Sequence, residues 1–312
     1  MTLPPTLAGK VRAWIAADPD AETRAELQAL LDDGDAEALR SRFDGRLQFG
    51  TAGLRGALGG GPNRMNLAVV RTASFALGRW IESNGARHGG VVVGYDHRRG
   101  SARFARDAAG VLAALGIPVR LADRAWPTPV TAYAVRHYEA AAGVMVTASH
   151  NPAPDNGYKV YDSTGSQIVP PADAEIAAHI DAAGPANAIA SHPDSDRIRA
   201  LGTDALDAYA AVAGAVLEDE PRRLRAVYTP LHGVGLAVFR RLWEHAGFDP
   251  PIVVDQQAEP DPEFPTAPFP NPEEPGVLDL ALELANRHHA DVVLANDPDA
   301  DRLAVAVPHG GG

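Results

Sequence analysis

The motif TASHNP at residues 147–152 directly follows the apolar stretch AAGVMV. The stretch predicts a buried strand, so Ser149 would leave it at a sharp turn, exposed and rigidly held. His150 beside it offers a proton carrier or a hydrogen-bond donor for phosphate. Lys159 follows the turn and can return to the same place. Taken separately, a Ser-His-Asn sequence is more typical of an ordinary turn, and a single lysine of a solvated surface charge.

Three aspartates alternate with small or rigid residues in DPDADR at residues 297–302, directly after the apolar sequence ADVVLAN. Asp297, Asp299 and Asp301 supply only oxygen ligands in a tight loop, which suits a hard cation such as Mg²⁺. The loop lacks the glycine and the distant glutamate of an EF-hand. An acidic surface turn explains the three aspartates equally well. Arg302 beside them favours a site that also binds an anion.

A glycine-rich stretch with one arginine, FGTAGLRG, occupies residues 49–56. Its backbone N–H groups and the guanidinium of Arg55 can face a phosphate. The stretch matches neither the GxxxxGK[ST] phosphate loop nor a GxGxxG turn after a strand. By itself it is more typical of a flexible connector. Together with the serine, the lysine and the aspartate loop, it completes a set suited to phosphoryl transfer through a phosphoserine.

The order of the predicted elements indicates an α/β protein. Apolar runs such as VVVGY (91–95) alternate with helical patterns such as 101–115, which favours parallel sheets with helices on both faces. Residues 6–43 are predicted to be helical, residues 49–61 to form a loop, and the polar residues 184–197 to form a linker. Because open parallel sheets bind ligands at the carboxyl ends of their strands, we expect both polar clusters at such an edge.

We therefore predict two consecutive three-layer α/β/α domains with mostly parallel, mixed sheets. The first would span residues 1–200 and carry Ser149. The second would span residues 201–312 and carry the aspartate loop. The two units have a similar size and a weakly similar layout, which is compatible with an internal repeat.

Composition excludes several classes of function. The chain has 312 residues and a formal net charge of −12, so it has no general attraction for nucleic acid or anionic membranes. It has no cysteine, which excludes disulfides, thiolate metal sites and cysteine nucleophiles. We recognise neither a secretory signal nor a run of roughly 20 apolar residues that would span a bilayer. We expect a soluble, cytoplasmic protein.

Together the motifs resemble those of the α-D-phosphohexomutases, the superfamily of phosphoglucomutase and phosphomannomutase. TASHNP resembles the family's phosphoserine loop, DPDADR its magnesium loop and FGTAGLRG its amino-terminal loop. VGYDHRRGS at residues 93–101, which contains Arg98 and Ser101, is similar to its first-domain strand and turn. LHGVG (231–235) and FPNPEEPG (269–276) are most similar to the phosphoglucomutase-2 type. The resemblance covers nearly the whole chain, with the motifs in the same order and spacing.

The resemblance implies a role for each candidate residue. The residues implied in catalysis are the phosphate carrier Ser149, the general acid or base Lys159, and two supports of phosphate or proton transfer, His150 and Arg55. The residues implied in binding substrate or phosphate are Arg302, Thr51 and Arg98. The implied ligands of one Mg²⁺ ion are Asp297, Asp299, Asp301 and an oxygen of phosphorylated Ser149. Glucose 1,6-bisphosphate is the implied activator.

The resemblance also implies an isomerase that interconverts hexose 1-phosphate and hexose 6-phosphate, of glucose or mannose. Phosphate would pass through a phosphoserine and a bisphosphorylated sugar. A sugar-1,6-bisphosphate synthase or a phosphopentomutase on the same scaffold is an open alternative. A catalytically idle protein that binds metal and phosphate, or a partner, is another.

Members of this family have four domains around one cleft. The third supplies a sugar-reading loop of the GE-x-S type, and the fourth a Ser/Thr-Gly-rich loop that clamps the distal phosphate. We find neither motif in this sequence. We therefore expect an incomplete sequence or a fragment that corresponds to the first two domains and lacks the parts that select the sugar. A natural two-domain protein is the alternative. The sequence predicts no oligomeric state.

Overall fold

The chain builds two mixed β-sheets, one of six strands and one of four, and helices flank each of them. The structure is a computed structural model that describes residues 4–216 and 223–308. The predicted α/β class, with two α/β/α domains and mostly parallel sheets, is confirmed. Within the described residues, no helix combines the length and the apolar character needed to cross a membrane.

Three short helices precede the first sheet, α1 (Pro5–Ala17), α2 (Ala21–Asp32) and α3 (Ala36–Phe43). Asp20 and Asp35 begin α2 and α3 by accepting hydrogen bonds from N–H groups of the first turn, as good amino-terminal caps do. The predicted helical stretch is therefore divided by two capped breaks.

The first sheet has the strand order β1-β5-β4-β2-β3-β6. Its strands are β1 (Leu54–Ala57), β2 (Val91–Tyr95), β3 (Val119–Ala122), β4 (Ala142–Val146), β5 (Asp155–Asp162) and β6 (Ile198–Leu201). The four strands β4, β2, β3 and β6 are parallel, whereas β5 and β1 pair antiparallel to their neighbours. The central strands β2 and β4 are valine-rich and buried on both faces, as expected for parallel strands between helices.

Alternate residues of the central strands serve the two faces of this sheet. Val91 and Val93 face a core shared with α4 (Leu67–Ser83) and α5 (Ser101–Ala114), whereas Val92 faces α6 (Thr128–His137). This alternation is the two-residue period of an extended strand. α7 (Ala172–Asp181) packs beside α4 on the first face.

The second sheet has the strand order β10-β9-β7-β8. Its strands are β7 (Ala226–Thr229), β8 (Ile252–Val253), β9 (Val292–Asn296) and β10 (Leu303–Ala306). Only the terminal strand β10 is antiparallel to its neighbour. The helices of this part are α8 (Thr203–Gly214), α9 (Gly235–His245), α10 (Asp255–Ala258) and α11 (Asp279–His288). α8 packs against both α6 and α9, so it joins the two domains.

One of the two predicted irregular segments contains a strand, and the other lies against the first domain. Residues 49–61 contain the strand β1, because this glycine-rich stretch pairs with β5 and its backbone bonds are satisfied there. The segment predicted as a linker, residues 184–197, lies against the first domain, where the N–H of His192 donates to the carbonyl of Gly110. β6 then joins the first sheet, so a division at residue 200 falls inside that strand.

Candidate active site

The carboxyl ends of β4 and β9 meet where the two domains touch. Ser149 follows β4, and Asp297 follows β9. The Ser149 hydroxyl donates a hydrogen bond of 2.7 Å to Oδ2 of Asp297, and both residues are buried. The structure therefore brings the two polar clusters of the sequence into one site.

Ser149 has a left-handed backbone conformation, with a φ of 54°. Residues other than glycine adopt this conformation rarely, and it persists where the surroundings hold it. Arg98 holds this loop. Its guanidinium donates to four backbone carbonyls at 2.6 to 3.1 Å, those of Ser149, Asn151, Pro152 and Asp155.

This environment differs from the one expected of a substrate-binding arginine. The side chain of Arg98 is 0% exposed, its Nε lies 3.3 Å from Oδ2 of Asp96, and its Cζ lies 4.8 Å from the ring centre of Phe264. With its donors directed to the loop, Arg98 has none facing a substrate. No contact of Arg98 therefore supports the predicted phosphate-binding role. Its contacts are those of a residue that positions Ser149.

A buried network connects β2 to the same loop. Asp96 Oδ2 accepts from the hydroxyl of Thr147 at 2.7 Å, and Asp96 Oδ1 accepts from the hydroxyl of Ser101 at 2.6 Å. Thr147 Oγ1 in turn accepts from the backbone N–H of Ser149 at 2.8 Å. Asp96 and Thr147 were not predicted from the sequence. The position of Asp96, a carboxylate directly after the buried strand β2, was the available signal.

The aspartate loop offers a compact group of oxygens. Asp297 and Asp299 are fully buried, whereas the side chain of Asp301 is 29% exposed. One carboxylate oxygen from each of the three lies within 4.8 Å of the others. The backbone N–H of Arg302 donates to Oδ1 of Asp297 at 3.0 Å and closes the turn.

Lys159 reaches this loop from β5. Its Nζ donates to Oδ2 of Asp299 and to Oδ2 of Asp301, both at 2.7 Å, and only 2% of its side chain is exposed. Thr128, the first residue of α6, donates from its hydroxyl to the same Oδ2 of Asp299 at 2.6 Å. Thr128 was not predicted either, although it lies in the WPTP turn that follows β3.

Burial and charge set the protonation of these groups. Burial raises the pKa of Asp297, and the neighbouring charges of Asp299 and Asp301 raise it further. Burial would also raise the pKa of Asp299, but the ammonium of Lys159 and the hydrogen bonds to its carboxylate outweigh burial and lower it. Burial would lower the pKa of Lys159, but the facing carboxylates raise it above its usual value. Lys159 and Asp299 are therefore a charged pair at neutral pH.

The oxygens fit a hard divalent cation. Oδ1 of Asp299 is buried and has no hydrogen-bond partner among the described residues. A buried carboxylate oxygen without a partner is costly, and a cation bound there removes that cost. The ligand set contains only oxygen atoms, as magnesium and calcium prefer, and it has no soft donor.

His150 lies beside the serine with its Nδ1 3.2 Å from Ser149 Oγ. Its ring contacts Phe269 of the second domain edge to face, with the ring centres 5.9 Å apart. Burial and the charges of Arg302 and Arg55 lower the pKa of His150. The imidazole is therefore neutral at neutral pH, and its Nδ1 lies within hydrogen-bonding distance of Ser149 Oγ, whose own hydrogen goes to Asp297.

Two arginines bring positive charge to the site. Arg55, on β1, has a buried Nε without a hydrogen-bond partner among the described residues. Arg302 is exposed, and its side chain takes part in no ion pair among the residues that the structure describes. Thr51 is exposed in the turn before β1, and within the part of the chain that the structure describes its side chain forms no hydrogen bond toward Ser149.

Comparison with family models matches most of the chain. Residues 46–186 match the model described as phosphoglucomutase/phosphomannomutase, alpha/beta/alpha domain I. Residues 207–311 match the model described as domain II of the same family.

Several curated proteins are similar in sequence. A Haemophilus influenzae protein named "Probable phosphomannomutase" is 45% identical over 247 residues, which cover 78% of this chain and 50% of that protein. A Saccharomyces cerevisiae phosphoribomutase is 40% identical over 329 residues, covering 98% and 53%. A human glucose 1,6-bisphosphate synthase is 39% identical over 324 residues, covering 97% and 51%. The chain spans about half the length of these curated relatives.

Solved structures share the fold. The structure of a protein from Thermus thermophilus, described as a phosphomannomutase by similarity, is 30% identical, with a TM-score of 0.73 over 85% of this chain and 57% of the other. A phosphoglucomutase/phosphomannomutase family protein from Burkholderia thailandensis gives a TM-score of 0.67 at 24% identity, over 81% and 53% of the two chains. The second likeness supports the fold alone.

Proposed function

Because the chain belongs to the phosphoglucomutase/phosphomannomutase family, we propose that it is the part of a magnesium-dependent phosphosugar mutase that carries the phosphoserine and the metal site. One observation carries the proposal: Ser149 Oγ lies 2.7 Å from Asp297 Oδ2, within the group of three carboxylates. A hydroxyl nucleophile and a cation site in contact are what phosphoryl transfer through a serine requires.

The proposed metal ligands are Asp297, Asp299, Asp301 and the Ser149 oxygen. Their oxygen-only chemistry and the unpartnered Oδ1 of Asp299 support the choice of Mg²⁺. Bound there, the cation would neutralise negative charge on the carboxylates and on the phosphoryl oxygens.

The residues of this chain would then orient the group that is transferred. Arg98 and Thr147 fix the loop, so that Ser149 Oγ projects toward the second domain. During transfer to the sugar, the bond between phosphorus and Ser149 Oγ breaks, and a bond forms between phosphorus and a sugar hydroxyl. Arg55 and Arg302 supply donors for the phosphoryl oxygens, and Thr51, at the end of the same glycine-rich turn, is the proposed further contact.

Lys159 is the proposed acid and base. Its charged Nζ lies between Asp299 and Asp301 and can give a proton to an oxygen of the sugar phosphate. To act as the base it must first be neutral, which a cation bound to these carboxylates would favour by offsetting the negative charge that raises the pKa of Lys159. The Ser149 hydrogen goes to Asp297, so His150 can donate from Nδ1 to Ser149 Oγ in the tautomer that carries the proton there, and it would help to orient that oxygen.

The substrate that we propose is a hexose monophosphate of glucose or mannose, with glucose 1,6-bisphosphate as the phosphate donor that charges the serine. A pentose phosphate is the second candidate, because the relative covering 98% of this chain is named a phosphoribomutase. Synthesis of a sugar bisphosphate is a third candidate activity of the same site, because the human relative is named a glucose 1,6-bisphosphate synthase. The proposal places the enzyme in the cytoplasm.

Assays of mutase activity test the proposal. Coupled assays with glucose, mannose and ribose 1-phosphates should show turnover of at least one of them, and Ser149→Ala should abolish it. Turnover that survives in Ser149→Ala would overturn the phosphoserine mechanism. Turnover of none of the three sugars, in a protein that takes up phosphate on Ser149, would support the bisphosphate synthase instead.

A further inference from the structure

A second cavity opens at the edge of the first sheet opposite Ser149. It has a volume of about 550 Å³ and is bordered by the first residues of β2 and β3 and by residues 196–199 around the start of β6. β2 runs from this edge to the active site, and its five residues span about 16 Å at the usual rise of a strand. The cavity is therefore separate from the site that contains Ser149.

Three arginines line this cavity. Arg120 and Arg199 are direct partners in the register of the parallel strands β3 and β6, so their side chains project to the same face. Arg197, just before the first residue of β6, lines the cavity as well. Like charges directly opposite one another on neighbouring strands repel and weaken the pairing. The pair therefore costs stability unless something of opposite charge lies between them.

No carboxylate of the described residues supplies that charge. None of the three guanidinium groups forms an ion pair or a side-chain hydrogen bond with residues 4–216 or 223–308. Asp196 is the one carboxylate among the lining residues, and it pairs with none of them. The chain has 40 acidic residues against 28 basic ones, so three unpaired arginines in one cavity stand out against the composition.

The side chain of Arg120 is also partly ordered for binding. The Cζ atom of Arg120 lies 3.8 Å from the ring centre of Tyr138, within cation–π range. Tyr138 is itself fixed, since its hydroxyl donates to Oδ1 of Asp204 at 2.7 Å. This stacking restrains the Arg120 side chain and leaves the edge of its guanidinium, where the N–H donors lie, free to bind.

We propose that this cavity binds a small phosphorylated molecule at a site distinct from the active site. The planar guanidinium fork pairs with two phosphate oxygens at once, and three forks in one cavity suit more than one phosphoryl group. The volume falls in the range of small-molecule sites and exceeds that of a single phosphate ion. His88, at the rim, adds a further donor.

Calorimetric titration of the chain with inorganic pyrophosphate and with orthophosphate, in metal-free buffer, tests the proposal. Arg55→Gln and Arg302→Gln are introduced together in the background chain, so that binding near Ser149 is removed. Pyrophosphate should bind with one-to-one stoichiometry and more tightly than orthophosphate. Arg120→Gln combined with Arg199→Gln should weaken pyrophosphate binding about tenfold or more.

Two further variants make the result specific. Arg197 lies outside any strand, so Arg197→Gln should weaken pyrophosphate binding without changing the thermal midpoint of unfolding. Loss of the fold then cannot explain the weaker binding. Arg240→Gln removes the same charge from an exposed position on α9 and should leave binding unchanged. Equal affinity in the Arg240→Gln chain and the double variant, or no binding of pyrophosphate at all, would overturn the proposal. Orthophosphate binding as tightly as pyrophosphate would overturn the assignment to a ligand with more than one phosphoryl group.

Discussion

The hydroxyl of Ser149 donates a hydrogen bond of 2.7 Å to Oδ2 of Asp297, although 148 positions separate the two residues in the chain. Ser149 follows a strand of the first sheet, and Asp297 follows a strand of the second. The site therefore exists only where the two domains touch. Residues that hold the loops in this position should matter as much as the groups that react.

Loss of one loop carboxylate should weaken metal binding. Asp301→Asn keeps the shape of the side chain but removes the charge of a partly exposed ligand, so the fold should survive. We expect Mg²⁺ affinity, measured by titration calorimetry, to fall by about tenfold or more, since even groups that only orient metal ligands are worth roughly 10- to 100-fold. Asp249→Asn, at an exposed position, is the control. Equal affinities in the two variants would refute the assignment of Asp301.

Removing the buried ammonium of Lys159 should lower the stability of the fold but raise the affinity of the chain for Mg²⁺. In Lys159→Met, Asp299 loses its charged partner, and the metal-free chain should lose about 3–5 kcal/mol of unfolding free energy in urea. Mg²⁺ should bind more tightly, because the ammonium no longer competes for the oxygens of Asp299 and Asp301. Lys10→Met, which changes the one other lysine of the chain at an exposed position, should do neither. Weaker Mg²⁺ binding in Lys159→Met would show that Lys159 supports the metal site and does not compete with it.

Replacement of the arginine under the serine loop should disturb the loop itself. Arg98→Lys cannot reproduce four bonds to backbone carbonyls, because an ammonium has three donors and no planar fork. The Arg98→Lys chain should lose about 2 kcal/mol or more of unfolding free energy, so its thermal midpoint of unfolding should fall by roughly 4 °C or more.

Arg99→Lys is the matched control for that change. Arg99 forms an exposed ion pair with Glu263, so its replacement should shift the midpoint little. A stable Arg98→Lys chain whose phosphate affinity alone falls would restore the substrate-binding role for Arg98.

The role of the glycine-rich turn before β1 can be tested at Gly53, with the nearby Gly50 as the control. Gly53 has a φ of 73°, and a Cβ there would lie 1.9 Å from the carbonyl oxygen of Tyr158. Gly53→Ala must therefore push the turn away from β5 and displace Arg55, which lowers phosphate uptake by the serine. Gly50→Ala, whose added Cβ meets nothing within 4 Å, should leave uptake unchanged. Equal uptake in the two variants, measured with a labelled phosphate donor, would exclude a role for this turn.

Much of the central sheet was predictable because its apolar runs are long and buried. β2 was predicted with its observed bounds, and α5 with its observed first residue, since each has one clear period. β1 was missed because its four residues lie in a glycine-rich stretch whose strand conformation depends on distant pairing with β5. β6 follows a polar segment and is fixed by its pairing to β3, which no local pattern encodes.

The candidate site was likewise predicted only in part. The serine and aspartate motifs lie next to strand ends, so their convergence follows from the rule for parallel sheets. Thr128 and Thr147 were missed because a single threonine carries no signal until its partner is known, and those partners are Asp299 and Asp96. The function expected of Arg98 was drawn from the resemblance, whereas its contacts depend on the path of a loop more than 50 residues away.

Phosphorylation of Ser149 is tested most directly by intact mass spectrometry of the purified chain after incubation with glucose 1,6-bisphosphate and Mg²⁺, followed by peptide mapping. We predict one added phosphoryl group, located on Ser149, which is absent from Ser149→Ala and retained in Ser163→Ala, a change at an exposed serine. A folded, Mg²⁺-loaded chain that gains no phosphoryl group, or gains it on another residue, would contradict Ser149 as the phosphate carrier.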